Sequence, residues 1–192
     1  KVCDDSYAVH RLDQETSGVM MVALDEDSQY RIKELFEVHD IERRYLAIVQ
    51  GRPGRNSWTV ESNLVRNRGD GKRGTGDSED GKRAVTHFKI IQRLRGATLV
   101  EATLETGRTH QIRVHLTSIG HPVIGDPQYG KSPLKSLPSV SAELSQTIAN
   151  FRRQALHAEI LGFKHPSSGE WLEYSAPIPD DFHQLLKAIQ HD

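Results

Sequence analysis

A single cysteine, Cys3, stands in a chain of 192 residues, so no disulfide can close within it. A reducing, cytoplasmic setting is the expected one. No apolar run approaches the roughly 20 residues of a membrane-spanning helix, and the start Lys1-Val2-Cys3-Asp4-Asp5 has no signal-peptide core. No tandem repeat shows. The Gly-x-Ser-x-Gly elbow of a serine hydrolase is missing. So is a phosphate-cradling glycine loop between a strand and a helix, because the glycines of 69–76 have neither neighbour. Ten histidines invite a metal site. Their best pair, His110 and His115, misses the i, i+4 spacing of a zinc-binding helix, with no zincin glutamate and no cysteine cluster to help, so no metal is expected. Excess charge of one sign is lacking too: 25 Lys+Arg against 26 Asp+Glu leave a net charge of -1. That sum neither suggests nor excludes a polyanionic partner, since local patches make the field that phosphates meet. Basic clusters do exist at Arg43-Arg44, at Arg66, Arg68, Lys72 and Arg73, at Lys82-Arg83, and at Arg108 with Arg113.

What is present suits one soluble globular domain with a single substantial core. The run Val19 to Leu24 reads as a buried strand. Asp27 or Ser28 can cap a helix to about Val38, with Ile32, Leu35 and Phe36 as its apolar stripe. Glu42 to Gln50 has strand character ended by Gly51 and Pro53, and Trp58-Thr59-Val60 begins a short strand. Residues 66 to 83 hold almost nothing apolar and are expected to form a mobile loop, because burial cannot repay their ordering entropy. Ala84–Ile91 and Ala97–Leu104 form an antiparallel hairpin around Arg93-Leu94-Arg95-Gly96. A helix follows, with Thr109 as N-cap, Ile112, Leu116 and Ile119 at helical spacing, Gly120 at C′ and Pro122 as stop. Residues 131 to 150 form a second loop with only a weak helical pattern. Arg152–Phe163 and Trp171–Ser175 are strands, and Pro179 onward is a capped amphipathic helix. The expected class is α+β, a mostly antiparallel or mixed sheet with three or four flanking helices.

The candidate chemistry begins at Val9-His10-Arg11-Leu12-Asp13, directly before the turn Glu15-Thr16-Ser17-Gly18. A carboxylate on a loop anchored by a sheet combines precision with access. An aspartate before a turn is equally at home bonding nearby backbone amides. With hydrolase, metal and nucleotide-loop chemistry set aside, a cofactor-free site built on Asp13, Tyr45 and Arg113 survives.

A set of ordered segments carries a further signal. They are His10-Arg11-Leu12-Asp13 with Thr16-Ser17-Gly18; Arg44-Tyr45-Leu46-Ala47; Gly81-Lys82-Arg83-Ala84-Val85-Thr86; Thr106-Gly107-Arg108-Thr109-His110-Gln111-Ile112-Arg113-Val114-His115; and Gly120-His121-Pro122 with Gly125-Asp126 and Tyr129-Gly130. Leu156-His157-Ala158, His165-Pro166 and Ala176-Pro177-Ile178-Pro179 continue them. In order and content this set resembles the RluA/RluD family of RNA pseudouridine synthases over nearly the whole chain, and its tail is most like the RluD type, whose substrate class is large-subunit ribosomal RNA. The resemblance implies one catalytic domain over 1–192 and isomerisation of uridine in RNA without metal or organic cofactor. It implies that Asp13 is the catalytic carboxylate, nucleophile or assistant to the departing base; that Arg113 pairs with it; and that Tyr45 packs on the uracil and handles a proton. Arg11 would fill the gap left by an extruded base, as opposed to a surface ion pair with Glu15. Lys82, Arg108 and His110 would contact RNA or support the site, while His10 and His157 are equally plausible as structural histidines. The family's domain normally begins earlier, with strands carrying an Asn-Lys-Pro-Gly segment. Their absence here predicts an exposed sheet edge and apolar surface that a partner covers or that costs stability.

Overall fold

The computed structural model describes residues 6–66, 72–76, 81–130 and 141–191. Its centre is an eight-stranded mixed sheet. The path runs from β10 (Trp171–Ser175) through β9 (Leu156–Lys164), β4 (Ile41–Gln50), β8 (Ala97–Leu104), β7 (Lys82–Arg93) and β5 (Ser57–Arg66) to β6 (Arg73–Thr75). All these neighbours are antiparallel. The parallel pair is β2 (Ser17–Gly18) against β9, with Ser17 opposite His157 and Gly18 opposite Ala158. A small separate ribbon pairs β1 (Tyr7–Ala8) with β3 (Val22–Ala23). The helices are α1 (Glu26–Glu37), α2 (Gln111–Ser118), α3 (Ala142–Asn150) and α4 (Asp180–His191).

Strand β4 is central because its second half has no polar face: Leu46, Ala47, Ile48 and Val49 are all buried in succession, as in a strand covered on both sides. Into the same core α2 contributes Ile112 and Leu116, α3 Leu144 and Ile148, and α4 Phe182, Leu185 and Ile189. Two smaller clusters, Val9 with Ala23 and Ile32, and Ile41 with Leu161 and Phe163, fasten the amino-terminal ribbon and α1 to one end of the sheet.

Several expectations are corrected. The run Val19 to Leu24 is not one buried strand: only Val22–Ala23 is extended and paired, while Met20 and Leu24 are 51% and 68% exposed. Helix α1 is capped two to three residues earlier than expected, by Asp25, which accepts from the Ser28 amide at 2.8 Å. The strand at Trp58 extends to Arg66. Within 66–83, β6 is ordered by backbone pairing with β5 and by the Arg73 amide donating to the Tyr129 hydroxyl at 2.9 Å, an anchor that needs no apolar side chain. The rest of that predicted loop, 67–71 and 77–80, lies outside the described residues, as does 131–140. Residues 142–150 are helical, with Ser141 Oγ capping the Leu144 amide at 3.1 Å. At α2 the N-cap position belongs to His110, in the left-handed region at φ 57°, and not to Thr109.

Candidate active site

The Asp13 loop is tied down at its far end. Gly18 has φ 127°, and any Cβ there would overlap the Ala158 carbonyl of β9, so only glycine lets β2 dock. Beside it Ser17 Oγ and His157 Nδ1 are 3.0 Å apart, and the other ring nitrogen of His157 reaches the Ala176 carbonyl at 3.1 Å. The turn closes through the Thr16 amide donating to the Asp13 carbonyl at 3.0 Å. From beneath, buried Gln154 donates through Nε2 to the Gln14 carbonyl at 2.6 Å and to Thr16 Oγ1 at 3.0 Å.

The wall facing Asp13 is the first turn of α2. Arg113 Nη1 donates to Asp13 Oδ2 at 3.3 Å, which joins two residues a hundred positions apart. Its principal partner, though, is Asp126: Nε to Oδ2 at 2.7 Å and Nη2 to Oδ1 at 2.9 Å make a bidentate clamp, with the Asp126 side chain wholly buried. The amides of Gln128 and Tyr129 also donate to Asp126 Oδ1. Burial alone would raise this carboxyl, but the Arg113 hydrogen bond and the two amides outweigh it and hold its pKa below the ordinary value. For Arg113 the same contest ends in its favour: burial disfavours the cation, and Asp126 with Asp13 more than restores it. The Tyr129 ring lies 5.0 Å beneath the guanidinium, and its hydroxyl is 2.9 Å from His110 Nδ1.

Ahead of these groups opens a cavity of about 440 Å³, within the range of roughly 300–1,000 Å³ usual for small-ligand sites. Asp13 and Tyr45 both line it, over an apolar floor of Leu104, Ile112 and Leu156. Arg113 stands behind Asp13 and does not line it. Burial pushes the Tyr45 phenol up to about 12; Arg43 opposes the rise and Asp13 adds to it. Tyr45 thus stays a neutral hydroxyl at neutral pH.

Arg11 is exposed at the rim, and among the described residues it makes no ion pair with Glu15. Arg108 and His110 share the cavity wall. The loop carrying Arg108 is held by Gln111: its Oε1 accepts from Thr106 Oγ1 and the Arg108 amide, and its Nε2 donates to the Val85 carbonyl. No side chain caps α2 where Thr109 was expected to; the Gln111 amide donates instead to the Arg108 carbonyl at 3.1 Å. Lys82 lines a second cavity of about 200 Å³ with Arg73 and Arg108, separate from the one that holds Asp13. The two histidines weighed as a metal pair and set aside have different partners: His110 meets Tyr129, and buried His115 meets Ser62 and Thr86. His10 is structural as well, accepting from the Met21 amide at 2.9 Å and stacked on Phe36.

Three contributors went unassigned in the sequence. Asp126 sat in the Gly125-Asp126 motif without a role. Arg43 was part of a basic doublet, although the two-residue strand period places it on the Tyr45 side of β4, and the structure sets both in one cavity. Gln154, just before Leu156-His157-Ala158, was given no role.

A loop-borne carboxylate with a guanidinium behind it, an uncharged phenol over an apolar floor and basic residues on the rim thus meet around one cavity. A family model described as RNA pseudouridylate synthase matches residues 4–118. A ribosomal large subunit pseudouridine synthase D of Xanthomonas campestris is 42% identical over 96% of the chain, and an uncharacterized RNA pseudouridine synthase of Bacillus subtilis is 40% identical over 95%. The chain spans 55% of either relative, about half their length. Among solved structures, human RNA pseudouridylate synthase domain containing 4 superposes with a TM-score of 0.79 at 27% identity, covering 96% of this chain and 76% of that one. The chain belongs to the RNA pseudouridylate synthase family.

Proposed function

We propose that this chain is a catalytic domain that isomerises uridine to pseudouridine within RNA, with large-subunit ribosomal RNA as its substrate class and the cytoplasm as its place of action. The observation that carries the reading is the pairing of Asp13 with Arg113 at the edge of a cavity that Tyr45 shares. The base leaves its stack, a displacement costing a few kcal/mol, and Arg11 at the rim occupies the gap. Its uracil lies on Tyr45 above Leu104, Ile112 and Leu156. Asp13, aimed by Arg113, bonds to C1′ or stabilises positive charge there while the bond from C1′ to N1 breaks. The base turns, C5 bonds to C1′ as any bond from C1′ to the Asp13 carboxylate breaks, C5 gives up its hydrogen and N1 gains one, so substrate and product contain the same atoms and the carboxylate is regenerated. The neutral Tyr45 hydroxyl is placed to exchange a proton during the sugar step. Lys82, Arg108 and His110 hold the surrounding RNA.

The test is to incubate the protein with ribosomal RNA and map pseudouridine, beside Asp13→Asn. Product from the wild type and none from the variant supports the reading. RNA binding by both with product from neither would make this a binding protein that kept the fold.

A further inference from the structure

Of the three arginines that line the cavity, Arg43 alone is buried, and no acid among the described residues is paired with it. Arg43 is only 7% exposed and lines the same wall as Tyr45, two residues along β4. Its sole hydrogen bond among the described residues runs from Nη2 to the Glu105 carbonyl at a long 3.3 Å, and its Nε is buried without a partner. Arg113, the other buried arginine among the described residues, is paired with two aspartates, and Arg44, Arg83 and Arg153 have acid partners as well; Arg11 and Arg108, which line the cavity without an ion pair, are exposed to water. A buried guanidinium left unpaired is costly, because lost hydration is not returned by a counter-charge. The Phe36 face 5.6 Å from Arg43 Cζ returns only part of it.

The fold nevertheless makes room for this head group. A Cβ at Gly107 would come 2.5 Å from Arg43 Nη1, and the Gly107 backbone is not in the left-handed region, so the glycine serves the space and not the turn. A dehydrated cation with an unused donor, kept on the inner wall of a substrate cavity, is a receptor for an anion that arrives with the substrate.

We propose that Arg43 binds a phosphodiester oxygen of the RNA immediately beside the reacting nucleotide, so that the base on Tyr45 and its own backbone are gripped from one strand. This rests on the RNA reading above. The anion available there is phosphate, whose oxygens match the guanidinium fork. The alternative for Arg43 is to act on Tyr45 alone by moderating its acidity, which would leave the number of phosphates contacted unchanged.

The experiment measures binding of a large-subunit ribosomal RNA transcript over a range of KCl concentrations for wild type, Arg43→Gln and Arg43→Lys. Loss of one phosphate contact makes the slope of log K against log salt shallower by about 0.7 to 0.9 in Arg43→Gln, while Arg43→Lys keeps the wild-type slope. An unchanged slope in Arg43→Gln overturns the proposal. Should Arg43→Gln fail to fold by circular dichroism, wild-type melting decides: at equal ionic strength uridine 5′- or 3′-monophosphate must raise the melting temperature more than uridine does, and equal shifts overturn it. Pseudouridine formation with an unchanged slope sinks this proposal alone. A lost contact without any product sinks the isomerase reading alone.

Discussion

At the residue scale the proposed function divides the site into Asp13, which would meet substrate, and Arg113 with Asp126, which would aim it. Asp13→Asn removes the anion but keeps the shape, so turnover of RNA should fall by about 10³-fold or more while RNA affinity changes little, as read by single-turnover kinetics and binding side by side. Asp126→Asn leaves Arg113 buried without its clamp and should cost about 3–5 kcal/mol in chemical denaturation, with activity falling too as Arg113 loses its aim. The histidines set the pH response. His10 and His115 are lowered from 6.5 to about 4, chiefly by burial, with Arg43 assisting at His10. Their folded forms refuse the proton that the unfolded chain accepts, so their contribution to stability is whole above pH 6.5 and is lost as pH falls toward 4. Each proton taken up on unfolding steepens the decline by about 1.4 kcal/mol per pH unit. Asp126 acts later, its stabilisation being whole above its ordinary 3.8 and lost only on further acidification. Denaturation midpoints that stay flat between pH 6.5 and 4 would contradict the histidine assignment.

At the element scale, the Asp13 loop depends on the docking of β2 against β9. Gly18→Ala forces a side chain into the β9 backbone from a φ of 127°, so β2 must detach, and with it the registration of Asp13. Gln154 holds the same loop from below through the Gln14 carbonyl and Thr16. Gln154→Ala should lower stability by about 1–3 kcal/mol, the cost of leaving buried polar groups unpaired, yet reduce kcat with KM nearly unchanged. A rise in KM at constant kcat would show that Gln154 shapes binding instead.

At the scale of the whole molecule, net charge is a poor guide to the partner. The sum is -1, yet Arg11, Arg43 and Arg108 border one cavity and Arg73 and Lys82 the next. RNA affinity should therefore fall steeply with salt at neutral pH, by about 0.7 in log K per tenfold salt for each phosphate contacted in a single strand. Filter binding across KCl concentrations reads it, and a salt-independent affinity would rule out this basic border as the RNA contact. The first cavity also carries two acids, Asp13, paired with Arg113, and Glu37, so its arginines outnumber its carboxylates.

Much of this was legible in the residues themselves. Periodicity and turn chemistry place α1, β4, the β7–β8 hairpin, α2 and α4 to within a few residues, because those signals are local: apolar spacing, caps, glycines at chain reversals. The motif order pointed to Asp13, Tyr45 and Arg113 together. Other features depended on neighbours far along the chain. The order of β6 comes from the β5 backbone, and the extension of Val22–Ala23 from β1. The clamp of Asp126 on Arg113 and the isolation of Arg43 are likewise tertiary facts. Whether a guanidinium is satisfied depends on which distant carboxylates the sheet brings to it, and one-dimensional spacing holds no record of that distance.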